Sequence, residues 1–259
     1  MFNFAHYLIT LIPLSGMAFM AWALSLKNNN VTLVDSVWAM FFLFSTAFSF
    51  LAYAEPSTRA WLILSLVAIW SCRLTWHLYR RNHNKPEDAR YQAIRARNEP
   101  NFRYKSLYLV FLLQAVLAWI ISLPLHLVAL STEVLNVWDA LGLLMWLVGM
   151  FFQVVGDRQL ACFVAQTGNK GQVLTSGVWH YTRHPNYFGE ACIWFGYGTL
   201  ALAAGAWWAL ISPVFMTYLL VNVTGAKLLE ADIANRRPGY VTYMQTTSRF
   251  VPWFPKKVD

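Results

Sequence analysis

The chain contains seven long apolar stretches, and their length restricts the possible folds more than any other feature. A helix needs about 20 mostly apolar residues to cross the hydrocarbon core of a bilayer. Stretches near this length occur at about 5–26, 34–54, 59–80, 105–129, 137–160, 188–206 and 207–229. The sequence therefore predicts an all-α integral membrane protein with about seven transmembrane helices.

The low charge content supports the same prediction. Only 12% of the 259 residues are charged, whereas soluble domains average about 25%. So few charges cannot cover a soluble surface of this size, which indicates that much of the surface faces lipid. The chain also contains 13 Trp, and Trp collects at membrane–water interfaces.

The distribution of positive charge predicts an orientation. The formal net charge is +8. Basic residues concentrate at 80–105, at 158–183 and in the tail from Lys227 onward. Basic segments beside transmembrane helices stay in the cytoplasm, so seven spans place the N-terminus outside and the C-terminus in the cytoplasm. Because the basic residues flank apolar stretches, they favour a membrane protein over a nucleic-acid-binding protein.

The most distinctive segment lies just before the sixth apolar stretch. Pro185 can begin a helix because its missing N–H costs little in the first turn. Arg183 and His184 beside the positive end of that helix would form an anion site. Asn186 and Glu190 are four residues apart and project from one helix face. An acidic residue inside a span is costly, so this combination predicts a functional site rather than a basic anchor for lipid head groups.

Further polar candidates lie near the ends of the third and fifth stretches. Gln153 and Asp157 are four residues apart, and Lys170 lies in a glycine-containing turn after them. Arg90 and Tyr91 are adjacent, and a guanidinium suits phosphate while an aromatic face suits a purine ring. These residues predict a water-soluble ligand on the cytoplasmic side, with a second, lipophilic reactant arriving through the bilayer.

Several of these segments together resemble a known family. The residues concerned are Tyr181–Glu190, Trp194, Gly196 and Tyr197, with residues 87–91 and 238–254. From about residue 73 to the end, the chain resembles steroid 5α-reductases and their bacterial relatives. The resemblance implies a reductase that uses NADPH to reduce a carbon–carbon double bond conjugated to a ketone. The expected substrate is a 3-oxo-Δ4 steroid or a similar lipophilic enone.

The resemblance also assigns residues to the cofactor NADPH. By position, Gln153, Asp157, Asn186 and Glu190 match polar residues that hold the cofactor in the family. The residues implied for its phosphates are Arg90, Lys170 and Arg183, those that shape the site are Tyr181, His184 and Tyr187, and those near the last cofactor-contacting stretch are Lys227 and Glu230. We expect a single domain over 1–259, with most cofactor motifs in about 105–259. We also expect a monomer in the cytoplasmic membrane of a bacterium, in contact with membrane lipid.

The reacting end of the family departs most from this sequence. The family has a Gln-Glu pair followed by Leu-Pro-Ser, whereas the segment 54–57 here is Ala-Glu-Pro-Ser. The family also has a Tyr in a His-Tyr pair, for which His77 fits one register and Tyr79 another. A protonated Glu55 bonded to Tyr79 or His77 could polarise the ketone oxygen while enolate charge develops. Glu55, Tyr79 and His77 are therefore the predicted catalytic residues.

Two other functional classes remain open. Membrane methyltransferases of isoprenylcysteines or phospholipid amines share the Arg-His-Pro-x-Tyr core at 183–187 and use S-adenosylmethionine. The paired acids usual in their last helix are here separated by one residue, at Glu230 and Asp232, which favours the reductase. A channel or transporter would spread polar residues through several spans or show symmetry between halves. No CxxC pair is present, so no metal site is expected.

Overall fold

The computed structural model describes residues 4–51, 56–223, 230, 233, 236–237 and 239–256. Within these residues all regular secondary structure is helical. The chain divides into two compact units. The N-terminal unit is Met1–Leu135 with Ala204–Ala206, and the C-terminal unit is Asn136–Ala203 with Trp207–Asp259. A single domain over the whole chain stays a prediction.

The described helices follow the apolar pattern of the sequence. In the N-terminal unit they are α1 (Phe4–Ile9), α2 (Leu11–Asn28), α3 (Leu33–Phe50), α4 (Thr58–Asn82), α5 (Ala89–Asn98), α6 (Phe102–Ser106), α7 (Leu113–Ile121) and α8 (Leu123–Ala129), with a π-helical segment at Leu107–Leu112. In the C-terminal unit they are α9 (Val137–Ala165), α10 (Pro185–Ala203), α11 (Ile211–Tyr218) and α12 (Gly239–Thr246), with a π-helical segment at Leu219–Val223. Short 3₁₀ turns lie at Thr167–Asn169, Gly177–His180 and Trp207–Leu210.

Five helical segments are long and apolar enough to cross a membrane. They are Phe4–Asn28, Leu33–Phe50, Thr58–Asn82, Phe102–Ile121 and Val137–Ala165. These segments coincide with the first five predicted spans, and they make the chain a multi-pass membrane protein. The stretches predicted as the sixth and seventh spans form α10 and the shorter apolar helix Trp207–Val223. The total of seven spans and the orientation stay predictions.

Two prolines interrupt helices where the sequence predicted continuous spans. The first span breaks at Thr10, between α1 and α2. Pro13 lacks the N–H that would bond the Ile9 carbonyl, and its ring crowds that carbonyl. The fourth predicted span likewise breaks at Ser122, and Pro124 falls in the first turn of α8, where proline is tolerated. The fourth span therefore ends at Ile121, eight residues before the predicted boundary at 129.

A fully buried arginine closes one end of the N-terminal unit. Arg59, in the first turn of α4, has no exposed surface. Its guanidinium donates to Ser131 Oγ at 2.9 Å, to the Glu133 carbonyl at 3.2 Å and to the Val134 carbonyl at 2.7 Å. A buried charge is costly unless it is hydrogen-bonded, and these three acceptors compensate the buried guanidinium. They also hold the 131–134 segment against the start of α4.

The C-terminal unit begins with a well-capped span. The Asn136 side chain accepts from the Trp138 N–H at 2.9 Å, and Asp139 accepts from the Asn136 N–H at 2.7 Å. This reciprocal capping box satisfies N–H groups that a helix start leaves without partners. Asn136 Nδ2 also donates to the Ala203 carbonyl at 3.2 Å. The start of α9 is thereby fixed beside the end of α10.

Candidate functional site

Helices α9 and α10 touch backbone to backbone through glycines. A Cβ placed on Gly149 would lie 2.5 Å from the Gly189 carbonyl oxygen, and one on Gly142 would lie 2.9 Å from the Gly196 carbonyl oxygen. Gly142 and Gly149 are seven residues apart, as are Gly189 and Gly196, so each pair repeats on one helix face. Small residues let helix backbones approach closely in membranes. The approach brings polar side chains of the two helices within hydrogen-bond reach.

The first such contact surrounds a buried carboxyl group. Glu190 on α10 is 5% exposed, and Gln153 on α9 is 3% exposed. Gln153 Nε2 donates to Glu190 Oε2. Trp194 Nε1, one turn further along α10, donates to Glu190 Oε1 at 2.9 Å. Both oxygens of Glu190 therefore accept hydrogen bonds, and its orientation is fixed from two sides.

A second contact lies one turn nearer the start of α10. The Asn186 amide donates to Asp157 Oδ1 at 3.3 Å, and Asp157 is 7% exposed. Asn186 and Glu190 follow one face of α10, and Gln153 and Asp157 follow one face of α9. The structure thus brings together four of the residues predicted for the cofactor. We call them the acid–amide row.

The turn before α10 is held by a buried ion pair. Arg183 Nε donates to Glu230 Oε1 at 2.7 Å, and Arg183 Nη1 donates to the carbonyls of Met244 at 2.6 Å and Thr247 at 2.9 Å. His184 Nε2 lies 3.0 Å from the same Glu230 oxygen. These bonds fasten α12 and the chain after it to the start of α10. A role for Arg183 in phosphate binding stays a prediction.

The ion pair also sets the charge state of Glu230. Burial alone would raise the pKa of this carboxyl. The hydrogen bonds from His184 and Arg183, and the charges of both, more than offset burial and hold the pKa of Glu230 below its usual 4.5. Glu230 is therefore a carboxylate at neutral pH, and it compensates the buried Arg183.

The remaining predicted residues of this unit lie around the same turn. The His184 and Tyr187 rings stack at 5.5 Å between centroids, with 8° between their planes. Tyr181 is exposed and packs edge-on against Phe254 at 6.0 Å. Lys170 is exposed after the 3₁₀ turn Thr167–Asn169. Lys227 lies outside the described residues.

Arg90 of the N-terminal unit forms ion pairs with two carboxylates. Arg90 Nη2 lies 2.7 Å from Asp35 Oδ2, and Arg90 Nε lies 2.9 Å from Asp88 Oδ1. Tyr91 Oη donates to the other Asp35 oxygen at 2.5 Å. Burial raises the pKa of the Tyr91 phenol, and the neighbouring Asp35 charge raises it further. The arginine that the sequence assigned to phosphate is thus bonded to two carboxylates, and phosphate binding stays a prediction.

Glu87 and Asp88, just before α5, hold this helix in place through further hydrogen bonds. Arg95 donates to both oxygens of Glu87, each at 2.8 Å, and the Val31 N–H donates to Glu87 Oε1 at 3.0 Å. Burial alone would raise the pKa of Glu87, but these bonds and the Arg95 charge hold it below the usual value. The Asp88 N–H donates to Thr32 Oγ1 at 2.9 Å. Helix α5 is therefore tied to the turn between α2 and α3.

The predicted catalytic residues are only partly described. Glu55 lies outside the described residues. Tyr79 on α4 is exposed, and its ring centroid lies 5.1 Å from that of His83. His77 on the same helix is half-buried. The assignment of the proton donor stays a prediction.

A buried polar cluster in the N-terminal unit escaped the sequence analysis. His126 on α8 has no exposed surface, and its Nδ1 lies 2.7 Å from Ser49 Oγ on α3. Ser49 Oγ donates to the Ser45 carbonyl at 3.0 Å, so it accepts from His126 Nδ1–H. The His6 ring stacks on His126 at 5.5 Å. An ionisable residue inside an apolar stretch is the signal that could have identified the cluster.

The fold and this site define a multi-pass helical membrane protein with a polar row buried between two closely packed helices. Residues 21–247 match DUF1295, a family of proteins of unknown function, and the chain belongs to that family. It is 22% identical over 266 residues to an uncharacterized protein of Schizosaccharomyces pombe. That alignment covers 89% of this chain and 75% of the yeast protein.

Proposed function

We propose that this protein is an NADPH-dependent membrane reductase of the carbon–carbon double bond of a lipophilic α,β-unsaturated ketone, such as a 3-oxo-Δ4 steroid. The observation behind the proposal is the acid–amide row of Gln153, Asp157, Asn186 and Glu190. Buried acids inside apolar helices are costly, and they are candidates for function for that reason. The resemblance of the chain from about residue 73 onward to the steroid 5α-reductases supports the same class.

The chemistry of the row fits the cofactor. A nicotinamide carboxamide donates and accepts hydrogen bonds, and ribose hydroxyls do the same. Asp157 and Glu190 supply carboxylate acceptors, and Asn186 and Gln153 supply amides that both donate and accept. We assign these four residues to the nicotinamide and its ribose. We assign Lys170, Arg183 and Arg90 to the phosphates, and Tyr181, His184, Tyr187, Lys227 and Glu230 to the surrounding wall.

The protein's contribution to the reaction is mainly positional. When bound, NADPH supplies the hydride that adds to the β-carbon of the enone. The hydrogen bonds from Gln153 and Trp194 fix the orientation of the Glu190 carboxyl group. A group of the cofactor that bonds to Glu190 would therefore be held in one orientation. We propose that the close packing of α9 and α10 at their glycines limits the access of water to the acid–amide row. Exclusion of water strengthens each polar contact with the developing charge.

The second half of the reaction needs a proton donor near the ketone oxygen. We assign this role to Glu55, with Tyr79 or His77 as its hydrogen-bond partner. A donor at that oxygen stabilises the enolate that forms when hydride reaches the β-carbon. The α-carbon then takes up a proton, and the product is the saturated ketone.

The proposal includes a membrane arrangement. Seven spans would place the N-terminus outside and the C-terminus in the cytoplasm, where NADPH is available. The lipophilic substrate would enter from the bilayer. We also propose that the protein acts as a monomer in the cytoplasmic membrane of a bacterium.

A membrane methyltransferase is the second candidate, and one contact is compatible with it. Glu230, from the last part of the chain, bonds to Arg183 and His184 of the Arg-His-Pro-x-Tyr core. An acid beside this core could serve S-adenosylmethionine as well as NADPH.

Anaerobic turnover tests the proposal. Detergent-purified protein is incubated with NADPH and a 3-oxo-Δ4 steroid, and both NADPH oxidation and the steroid product are measured. We expect formation of the saturated ketone with one NADPH consumed per product, and loss of this activity in Asn186→Ala. Absence of oxidation together with methyl transfer from S-adenosylmethionine to a lipid acceptor would replace the reductase with the methyltransferase.

A further inference from the structure

The C-terminal unit has a surface groove that shares only Tyr181 with the residues assigned to the proposed reductase. Its volume is about 660 Å³, within the range of roughly 300–1,000 Å³ typical of small-molecule sites. It runs along α9 and the 3₁₀ turn Gly177–His180. None of the residues of the acid–amide row lines it.

The floor of the groove depends on a glycine. Gly177 has φ of +64°, a left-handed conformation that favours glycine. A Cβ at this position would overlap the Gln159 side-chain amide. Gln159 Oε1 instead accepts from the Val178 N–H at 3.0 Å. The turn therefore lies directly against α9.

Three more hydrogen bonds hold the wall of the groove in place. Trp179 Nε1 donates to the Gly156 carbonyl at 3.0 Å, and Tyr243 Oη of α12 donates to the Trp179 carbonyl. The Trp253 N–H donates to the Tyr181 carbonyl at 2.9 Å. A site fixed in this way does not require ordering of the wall on binding.

The groove is apolar at one end and polar at the other. Phe151, Phe152 and Val155 line the apolar end, and all three belong to the membrane-spanning helix α9. The residues at the polar end, which lies beyond them along α9, include Gln159, Ser176 and His180. An occupant would need an apolar chain at hydrocarbon depth and a polar group at the interface.

The absence of acidic side chains from the described residues of the lining, together with the neighbouring Arg158, favours an anionic polar group. Among the described residues that line the groove, none carries a carboxylate. His180 is exposed there, and the exposed Arg158 precedes Gln159 on α9. Basic pockets beside transmembrane helices bind the anionic head groups of lipids. A free phosphate would leave the apolar end unfilled.

We propose that this groove binds one phospholipid with an anionic head group, whose acyl chain lies along Phe151, Phe152 and Val155 and whose phosphate lies near His180 and Gln159. The proposal does not depend on the reductase activity. A lipid in this position would cover the surface groove that α9 and the Gly177–His180 turn form together.

Native mass spectrometry of the full chain in detergent tests this site. Dioleoylphosphatidylglycerol and dioleoylphosphatidylcholine are supplied in equal amounts, and retained lipid is counted per protein. We expect one retained phosphatidylglycerol in preference to phosphatidylcholine. Val155→Trp fills the apolar end and should abolish this retention, and His180→Ala should weaken it roughly fivefold, the effect of about one hydrogen bond to the head group.

The control is Val148→Trp, an exposed position of the same helix outside the groove, which should retain lipid like the wild type. Ser176→Trp fills the groove from the side of the 3₁₀ turn. It replaces Val155→Trp in the experiment if Val155→Trp does not elute as a folded, monodisperse protein. Asn186→Ala should retain lipid normally, so failure of the reductase proposal leaves this result unaffected. Undiminished retention in a folded groove-filling variant, or equal retention of both lipids, would overturn the proposal.

Discussion

The Asn186 side-chain amide on α10 donates to Asp157 Oδ1 on α9 at 3.3 Å, although the two residues are 29 positions apart in the chain. This contact exists because glycines let α9 and α10 approach until their backbones touch. The same approach places Gln153 against Glu190 one turn away. The polar row and the helix packing are therefore one structural feature, and a change in the packing should disturb the row.

Substitution of Gly149 tests the helix packing. In Gly149→Ala the new Cβ would lie 2.5 Å from the Gly189 carbonyl oxygen and 2.7 Å from Ile193. We expect destabilisation of roughly 1–3 kcal/mol, the usual cost of overpacking. Thermal unfolding in detergent measures it. The matched control is Gly16→Ala in α2, where nothing lies within 4 Å of the added Cβ. Equal unfolding temperatures for the two variants would contradict the packing described here.

Removal of Arg183 tests the buried ion pair. In Arg183→Met, Glu230 loses its closest cation and two carbonyls lose a donor. Breaking a buried pair from one side costs roughly 3–5 kcal/mol, so we expect a large fall in the unfolding temperature. The comparison is Arg249→Met, since Arg249 lies 3.3 Å from the other Glu230 oxygen but is 38% exposed. Exposed pairs contribute about 0–1 kcal/mol, and a similar loss in both variants would refute a special role for Arg183.

The depressed pKa of Glu230 predicts a pH dependence of stability. Because the pKa is lower in the folded state than the usual 4.5, the carboxylate stabilises the fold fully above pH 4.5. This stabilisation is lost as pH falls through the folded-state pKa. Unfolding temperatures measured from pH 7 to pH 3 should therefore fall less steeply in Glu230→Gln than in the wild type. Glu99→Gln, at an exposed position, should follow the wild-type curve, and a Glu230→Gln curve that also follows it would exclude this linkage.

Arg90 tests the assignment of the cofactor phosphates. If Arg90 contacts the phosphate that distinguishes NADPH from NADH, Arg90→Ala should raise the KM for NADPH more than that for NADH. The exposed Arg97 on the same helix α5 provides the control substitution. An equal change in KM for both cofactors would mean that Arg90 has only a structural role, through its ion pairs with Asp35 and Asp88.

The sequence predicts the helices better than it predicts the partners of polar residues. The apolar stretches locate five spans because a span is a local property of about 20 residues. The break at Thr10 was missed, although Pro13 provides the local cause. The bond between Arg183 and Glu230 joins residues 47 positions apart, and no local pattern indicates it. The glycine spacing on α9 and α10 and the buried His126 were visible in the sequence and were not interpreted.

Isothermal titration calorimetry with NADPH and with S-adenosylmethionine tests the central claim most directly, because it needs no knowledge of the substrate. We expect the detergent-purified chain to bind NADPH at one site, and Asn186→Ala to bind it at least tenfold more weakly while unfolding at the wild-type temperature, since loss of one to two hydrogen bonds to the ligand costs about 1.4 kcal/mol or more. Binding of S-adenosylmethionine without binding of NADPH would contradict the account.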